Sequence, residues 1–192
     1  MTQKTKVPPP AASAADLVFR RATAADVGAI VALVNSAYRG DSSRAGWTTE
    51  ADLLGGQRTD AQEISDLIAQ EGSTLLLCLR GGEIIGSVHV ERVDAVTAYM
   101  GMLVIRPVLQ RQGSGRRLMD EAARFAREEW GATVMQMWVI TLRQELIAYY
   151  ERYGYRRTGE IRPFPATDPR FGLPKVQGLR FEVLEKALPV RL

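Results

Sequence analysis

The stretch VLQRQGSGRRLM, residues 108–119, concentrates residues able to do chemistry. Gly113 and Gly115 follow an apolar, β-rich run that stops at Pro107, and an amphipathic pattern begins just after them. Glycines let an anion approach the main chain closely. A helix N-terminus adds unpaired N–H donors and a partial positive charge. Arg106, Arg111, Arg116, Arg117, Arg124 and Arg127 surround the turn, against only Asp120 and Glu121 up to Arg127. A polyanionic, phosphate-bearing ligand is the expected guest. The nucleotide P-loop requires Gly-Lys-Ser/Thr, which is absent. The dinucleotide pattern G-x-G-x-x-G requires glycine where Leu118 stands. What remains is Q/R-x-x-G-x-G/A, satisfied by Gln110, Gly113 and Gly115.

Few other residues can act as nucleophile or base. Cys78 is the only cysteine, so no intrachain disulfide or cysteine metal cluster can form. It alternates within an apolar run and reads as core. His89 is the only histidine, so a Ser-His-Asp triad would have to use it. Ser87, His89 and Glu91 alternate onto one strand face, and His89 titrates nearest neutral pH. Asp94 lies just beyond them.

These residues need elements to position them. A strand is expected at 17–21. A helix capped by Thr23 then carries Val27, Ile30, Val31, Val34 and Ala37. The polar segment YRGDSSRAGWTTEADL contains a short helix around 50–54, and Thr59 with Gln62 forms a capping box for the next helix. Strands follow at 74–80, 83–93 and 97–105, the first two joined through Gly81 and Gly82. The helix after the glycine turn buries Leu118, Met119, Ala122, Phe125 and Ala126 and stops at Gly131. A strand at 133–140 leads to a helix capped by Thr141 and closed by Gly154. Strands at 155–161 and 179–185 flank a Pro-rich loop at 162–177, with Phe164 and Phe171 as anchors. The order β-α-α-β-β-β-α-β-α-β-β predicts an α/β mixed sheet with helices on its faces.

The bulk properties agree with one ordinary domain. The chain has 192 residues, 46% hydrophobic and 24% charged, enough to bury a core. Residues 1–16 read as a disordered tail without a signal peptide, and 17–192 as a single domain. The run LLLCL is far shorter than the ~20 residues of a membrane span, so no membrane partner is expected and the cytoplasm is the default compartment. A net charge of +3 does not announce nucleic acid, and no aromatic-plus-basic stripe is evident.

Two segments together resemble the GNAT N-acetyltransferase superfamily. MLVIRPVLQRQGSGRRLMDEA is similar to its acetyl-coenzyme A motif, and LIAYYERYGYRRTGE to its second signature. The resemblance covers roughly residues 17–187. It implies a central sheet, flanked by helices, that splays after its fourth strand and admits the pantetheine arm beside Leu103, Val104 and Ile105. Gln110 belongs to the motif. The amides from Arg111 through Gln112, Gly113, Ser114 and Gly115 to Arg116 would hold the pyrophosphate. Tyr150 corresponds to the tyrosine facing the coenzyme A sulfur; without that motif it reads as a core aromatic. Many members carry asparagine where this chain has Arg143, which is free to meet an anionic substrate instead.

The chemistry implied is acetyl transfer from acetyl-CoA to a primary amine by direct attack in a ternary complex, without a metal. A Lys-like amine near pKa ~10.4 needs a base or a proton exit at neutral pH. His89, Glu91, Asp94 and a water chain are the candidates. A backbone N–H near the bulge at 103–105 would steady the thioester oxygen. Proton transfer from tyrosine (~10) to a thiolate (~8.5) is uphill by roughly 2 kcal/mol, so hydrogen-bond donation from Tyr150 is as reasonable as full transfer. Trp47 is either a hydrophobic plug or, with Arg44, Thr48, Glu50 and Arg143, part of an amine pocket. The acceptor is a small-molecule or peptide amine. Exposed edge strands make a homodimer reasonable. Alternatives are a different acyl group or a non-amine acceptor, and a non-catalytic acyl-CoA sensing module.

Overall fold

The apolar runs and helical spacings become the expected elements in a computed structural model, which describes residues 17–165, 168 and 172–189. The expected tail at 1–16 and Phe171 lie outside the described residues. Seven strands form one sheet: β1 (Leu17–Arg21), β3 (Ser73–Arg80), β4 (Glu83–Arg92), β5 (Thr97–Ile105), β6 (Val134–Ile140), β9 (Arg180–Ala187) and β7 (Arg156–Pro163), in that spatial order. Only β5 and β6 run parallel. The edge strand β7 is exposed along most of its length and carries Arg156, Arg157 and Glu160, charges of the kind that discourage further pairing.

Helices cover both faces. On one face α1 (Val27–Tyr38) and α3 (Ala61–Ala69) bury Ile30, Val34 and Ile64 against Leu75, Leu77 and Val104. On the other, α4 (Ser114–Trp130) and α5 (Gln144–Arg152) bury Leu118, Ala122, Phe125 and Ile147 against Leu76, Val88 and Met135. The face of α4 read from helical spacing is the face buried.

Four local expectations shift, one being that α5 starts at Gln144 with Arg143 at its N-cap and without a side-chain cap from Thr141. The short helix expected around 50–54 is α2 at Gly40–Ser43, ten residues earlier, and the later segment ends in β2 (Leu54–Gly55). That two-residue strand pairs with β8 (Leu173–Pro174), a contact between distant parts of the chain with no local signature. The cap of α3 is Asp60, not Thr59, because the Asp60 carboxylate is the group that accepts from the Glu63 N–H, at 2.8 Å.

Two irregularities in β5 create the site. Against β4, Ser87 pairs with Val104 but His89 pairs with Gly101, so an extra residue is accommodated between them. Met102 takes a positive φ of 45° at this point. A bulge of this kind reverses the side-chain alternation. Ala98 and Met100 pack on the α4 side, whereas Met102 and Val104 pack on the α1 side. Against β6, pairing stops after Tyr99–Gln136. From there the two strands part, and the rest of β6 continues against β9 alone.

Candidate functional site

The glycine turn and the parted strands meet in a cavity of about 690 Å³ on the α4–α5 side. Leu103 and Ile105 line it, while Val104 is buried on the opposite face, as alternation after the bulge requires. Gly113 and Gly115 line its α4 end. Gly113 has a φ of 81°, and a Cβ there would meet no other atom within 4 Å, so open space lies beside the turn. Arg111 also has a positive φ, 64°, which turns this main chain around the helix N-terminus.

The side chains of the turn divide their work. Arg111 and Arg116 line the cavity, and Arg152 joins them from α5; Glu145 is the one acidic residue of the lining. The remaining arginines of the cluster serve elsewhere. Arg106 pairs with Glu83, Arg124 with Glu121 and Glu128, and Arg127 with Glu128. The Arg117 guanidinium lies over the Phe19 ring. Gln112 and Ser114 do not line the cavity; Arg80 donates to both, at 3.0 and 3.2 Å.

Gln110 is turned inward. Its Oε1 accepts from the Trp47 N–H at 2.9 Å, and its Nε2 donates to Thr48 Oγ1 and the Ile105 carbonyl, both at 3.0 Å. The fit is close: a Cβ on Gly46 would lie 2.8 Å from the Gln110 amide. Arg143 holds the same segment from the other side. It is 7% exposed and donates to the carbonyls of Trp47 at 2.9 Å, Thr49 at 2.8 Å and, more weakly, Thr48 at 3.4 Å. Its Nε binds Glu145. The donors of Arg143 are thus engaged by main-chain carbonyls and Glu145, while its side chain also lines the narrow space between β5 and β6.

The strapped segment has two ends. Trp47 and Thr48 line the large cavity, and the Trp47 ring packs edge-on against Tyr149 at 4.7 Å. Trp47 therefore borders the glycine-turn side, not a separate amine pocket. Arg44 pairs with Asp52 at the surface. Glu50, at the other end, lines a second cavity of about 420 Å³ on the α1 side. Arg39 holds its carboxylate at 2.6 Å, with both side chains largely buried.

A narrow space of about 70 Å³ lies between β5 and β6 where they part. It shares Leu103 and Tyr150 with the large cavity, and Tyr38, Glu50 and Met102 with the second. Tyr150 is 8% exposed, and burial drives its phenol well above the ordinary tyrosine range. It stays protonated and can only donate or accept a hydrogen bond. Tyr38, which the sequence marks only as a helix end, donates from its hydroxyl to the Leu103 carbonyl at 2.9 Å. Tyr149 and Tyr153 pack on one another at 4.7 Å and also line the large cavity.

His89 and Glu91 are not brought to these cavities. His89 is 5% exposed and shares a hydrogen bond with Ser73 Oγ at 3.0 Å. Burial, with a smaller contribution from Arg58, lowers its pKa to about 4. Glu91 receives the Gln70 amide at the surface. Asp94 caps the turn before β5 by accepting from the Val96 and Thr97 N–H groups. Cys78 is fully buried, and desolvation raises its thiol to about 11. Among the described residues no group of three or more His, Cys, Asp or Glu is placed to hold a metal ion. No helix among them is long and apolar enough to cross a membrane.

Known structures share this arrangement. A ribosomal-protein-alanine N-acetyltransferase from Brucella melitensis matches with a TM-score of 0.65 at 18% identity, over 89% of this chain and 99% of that one. A GNAT family acetyltransferase from Elizabethkingia anophelis with acetyl-CoA bound gives 0.58 at 17%, over 90% and 99%. A spermidine N-acetyltransferase variant from Vibrio cholerae gives 0.65 at 14%, over 91% and 95%. At such identities the likeness is one of fold. No protein of curated function matches the sequence. The family model described as "Acetyltransferase (GNAT) family" matches residues 29–155, a span from α1 past α5 that contains the bulged β5, the glycine turn and Tyr150. With most of its length inside that match, the chain belongs to the GNAT acetyltransferase family.

Proposed function

We propose that this protein is an acetyl-CoA-dependent N-acetyltransferase that transfers its acetyl group to a primary amine directly, with both substrates bound at once. The observation that carries the reading is the narrow space between β5 and β6, which borders Tyr150 on one side and Glu50 on the other. Acetyl-CoA fits the larger cavity by its chemistry. The turn of Gly113 and Gly115 exposes amides at the start of a 17-residue helix, and Arg111, Arg116 and Arg152 supply positive charge for phosphates. A volume of about 690 Å³ suits a large cofactor. When bound, it supplies a thioester whose acyl carbon forms the new C–N bond with the amine as the C–S bond breaks.

The chain's own groups divide the remaining work. Gly113, Gly115 and the arginines orient the phosphates. The β5 main chain beyond Tyr99, which has no strand beside it toward β6, presents polar groups along the gap. The buried Tyr150 hydroxyl, kept protonated, stabilises the departing sulfur by hydrogen-bond donation. Glu50 faces the gap from the acceptor side and takes the ammonium proton, directly or through one water. His89 and Glu91, off the cavities, are left to the scaffold.

Two measurements test this. Saturating acetyl-CoA raises Tm as a native-state ligand does, by about 2.7 kcal/mol of stabilisation at a hundredfold excess over Kd. Tyr150→Phe lowers turnover tenfold or more while the acetyl-CoA Kd stays within about threefold. Acetyl-CoA binding with no acetylation in a broad amine panel would favour an acyl-CoA sensing module instead. Absence of a Tm shift sinks the cofactor assignment.

A further inference from the structure

The α1-side cavity has a charge pattern that the acetyl-transfer reading does not use. Three arginines line it, Arg39, Arg58 and Arg162, against the single carboxylate of Glu50. Arg39 is bound to Glu50 at 2.6 Å. Arg58 is different. Its Nη1 is buried without a hydrogen-bond partner, and its nearest carboxylate, Glu63, is 3.9 Å away, beyond hydrogen-bonding reach. Glu63 offsets its charge as an ion pair, and the hydrogen bond that Nη1 lacks is left for another acceptor. Arg162 enters from β7 with its guanidinium over the Trp138 ring, 4.4 Å from the centroid, and Nε anchored on Glu160 at 2.6 Å. Both side chains line this cavity together with Tyr99.

The same cavity carries Glu50, which also borders the gap toward Tyr150. A molecule that fills it meets this carboxylate at the gap and the guanidiniums of Arg58 and Arg162 on the same walls. Those walls are also aromatic, from Tyr38, Trp138, Phe164 and Phe181. A volume of about 420 Å³ holds a small molecule rather than a folded chain. A polyamine would bring its distal ammonium groups against two arginines, a like-charge contact that repels it.

We infer that the acceptor is a small amine bearing its own oxyanion, a carboxylate or phosphonate, read by Arg58 and Arg162 while Glu50 receives the ammonium. Arginine suits this task because its planar fork binds an oxyanion through paired hydrogen bonds. The inference rests on the acetyltransferase reading and adds the class of acceptor to it.

The test is a panel assay of acetyl-CoA-dependent thiol release. It sets free amino acids, ω-amino carboxylates and aminophosphonates beside their methyl esters, spermidine and a peptide amide with a free N-terminus. At least one acid is acetylated with a kcat/KM tenfold or more above that of its ester; the carboxylate and phosphonate arms tell which oxyanion is preferred. Arg58→Gln and Arg162→Gln each raise KM for the acid tenfold or more, leave KM for the ester within twofold, and leave the acetyl-CoA Kd measured by calorimetry unchanged. A merely structural role would not separate acid from ester. Calorimetric titration of the best acid into the CoA-loaded protein gives the same loss without turnover. Esters used as well as acids, a preference for spermidine or the peptide amide, or no acid acetylated by a protein that binds acetyl-CoA overturns the inference. Absence of acetyl-CoA binding overturns the acetyltransferase reading, and this inference with it.

Discussion

Replacing Arg143 with methionine tests the strap that joins the two cavities. Methionine keeps the length and apolar body of the side chain but removes every donor. Two main-chain carbonyls, those of Trp47 and Thr49, lose charged donors at 2.9 and 2.8 Å, and that of Thr48 loses a weak contact at 3.4 Å. At roughly 1–1.5 kcal/mol for each good bond from a charged group to a partly buried carbonyl, the loss is about 2–3 kcal/mol. The released Glu145 carboxylate is 59% exposed and returns to water, so it adds little. For a chain of this size that is a fall in Tm of roughly 4–12 °C. Urea unfolding followed by circular dichroism reads it directly. Arg143→Lys recovers part of the loss, since one ammonium can serve one or two of the three carbonyls but lacks the planar fork. Arg124→Ala is the control. Arg124 makes ion pairs with Glu121 and Glu128 at the surface, and such pairs are worth under about 1 kcal/mol. If Arg143→Met unfolds within 0.5 kcal/mol of the native protein, the strap is not what Arg143 does, and its assignment as a substrate reader returns.

Two further outcomes follow from the geometry. Burial holds His89 neutral, with its pKa lowered to about 4 from 6.5. The unfolded chain therefore binds a proton that the folded chain refuses as pH falls through this window. Stability is fully present above about 6.5 and declines by roughly 1.4 kcal/mol per pH unit toward 4. His89→Gln flattens that decline in urea melts taken between these pH values; an unchanged slope would place the acid sensitivity elsewhere. Gly113→Ala forces an alanine into a φ of 81° with open space around its Cβ. It costs about 1–2 kcal/mol of stability and weakens acetyl-CoA binding tenfold or more in calorimetry, because the methyl group occupies the approach to the amides. Unaltered affinity would remove the phosphates from this turn.

Much of the fold was legible because its signals are local. The helical spacing of Leu118, Met119, Ala122, Phe125 and Ala126 selects the buried face of α4, and Gly131, with a φ of 67°, ends that helix as expected. The glycine turn and Tyr150 were likewise visible, one from residue types and the other from its place in a resembling motif. The directions of side chains were not. Gln110, Gln112 and Ser114 sit in the expected turn, yet all three side chains are taken by Thr48, Arg80 and the main chain. Alternation put His89 and Glu91 on one face, but it could not tell that the face is sealed by Ser73 and Gln70.

By itself the sequence determined the order of the seven main-sheet strands and the longer helices, the glycine turn at the head of α4, and the family. Each is written within one element or across two adjacent ones, where apolar period, glycine backbone freedom and helix-end donors act over a few residues. Only the tertiary structure decided the rest. The parting of β5 from β6 after Tyr99 is a property of two strands separated by a helix. The bulge at Met102 reverses which residues face each cavity. Arg143 reaches carbonyls 94 to 96 residues away. Arg58 and Arg162 come from opposite ends of the chain's order to line one cavity with Glu50. Charge and aromatic character are set residue by residue. Their convergence around a gap in the sheet is set by packing, which no local period encodes.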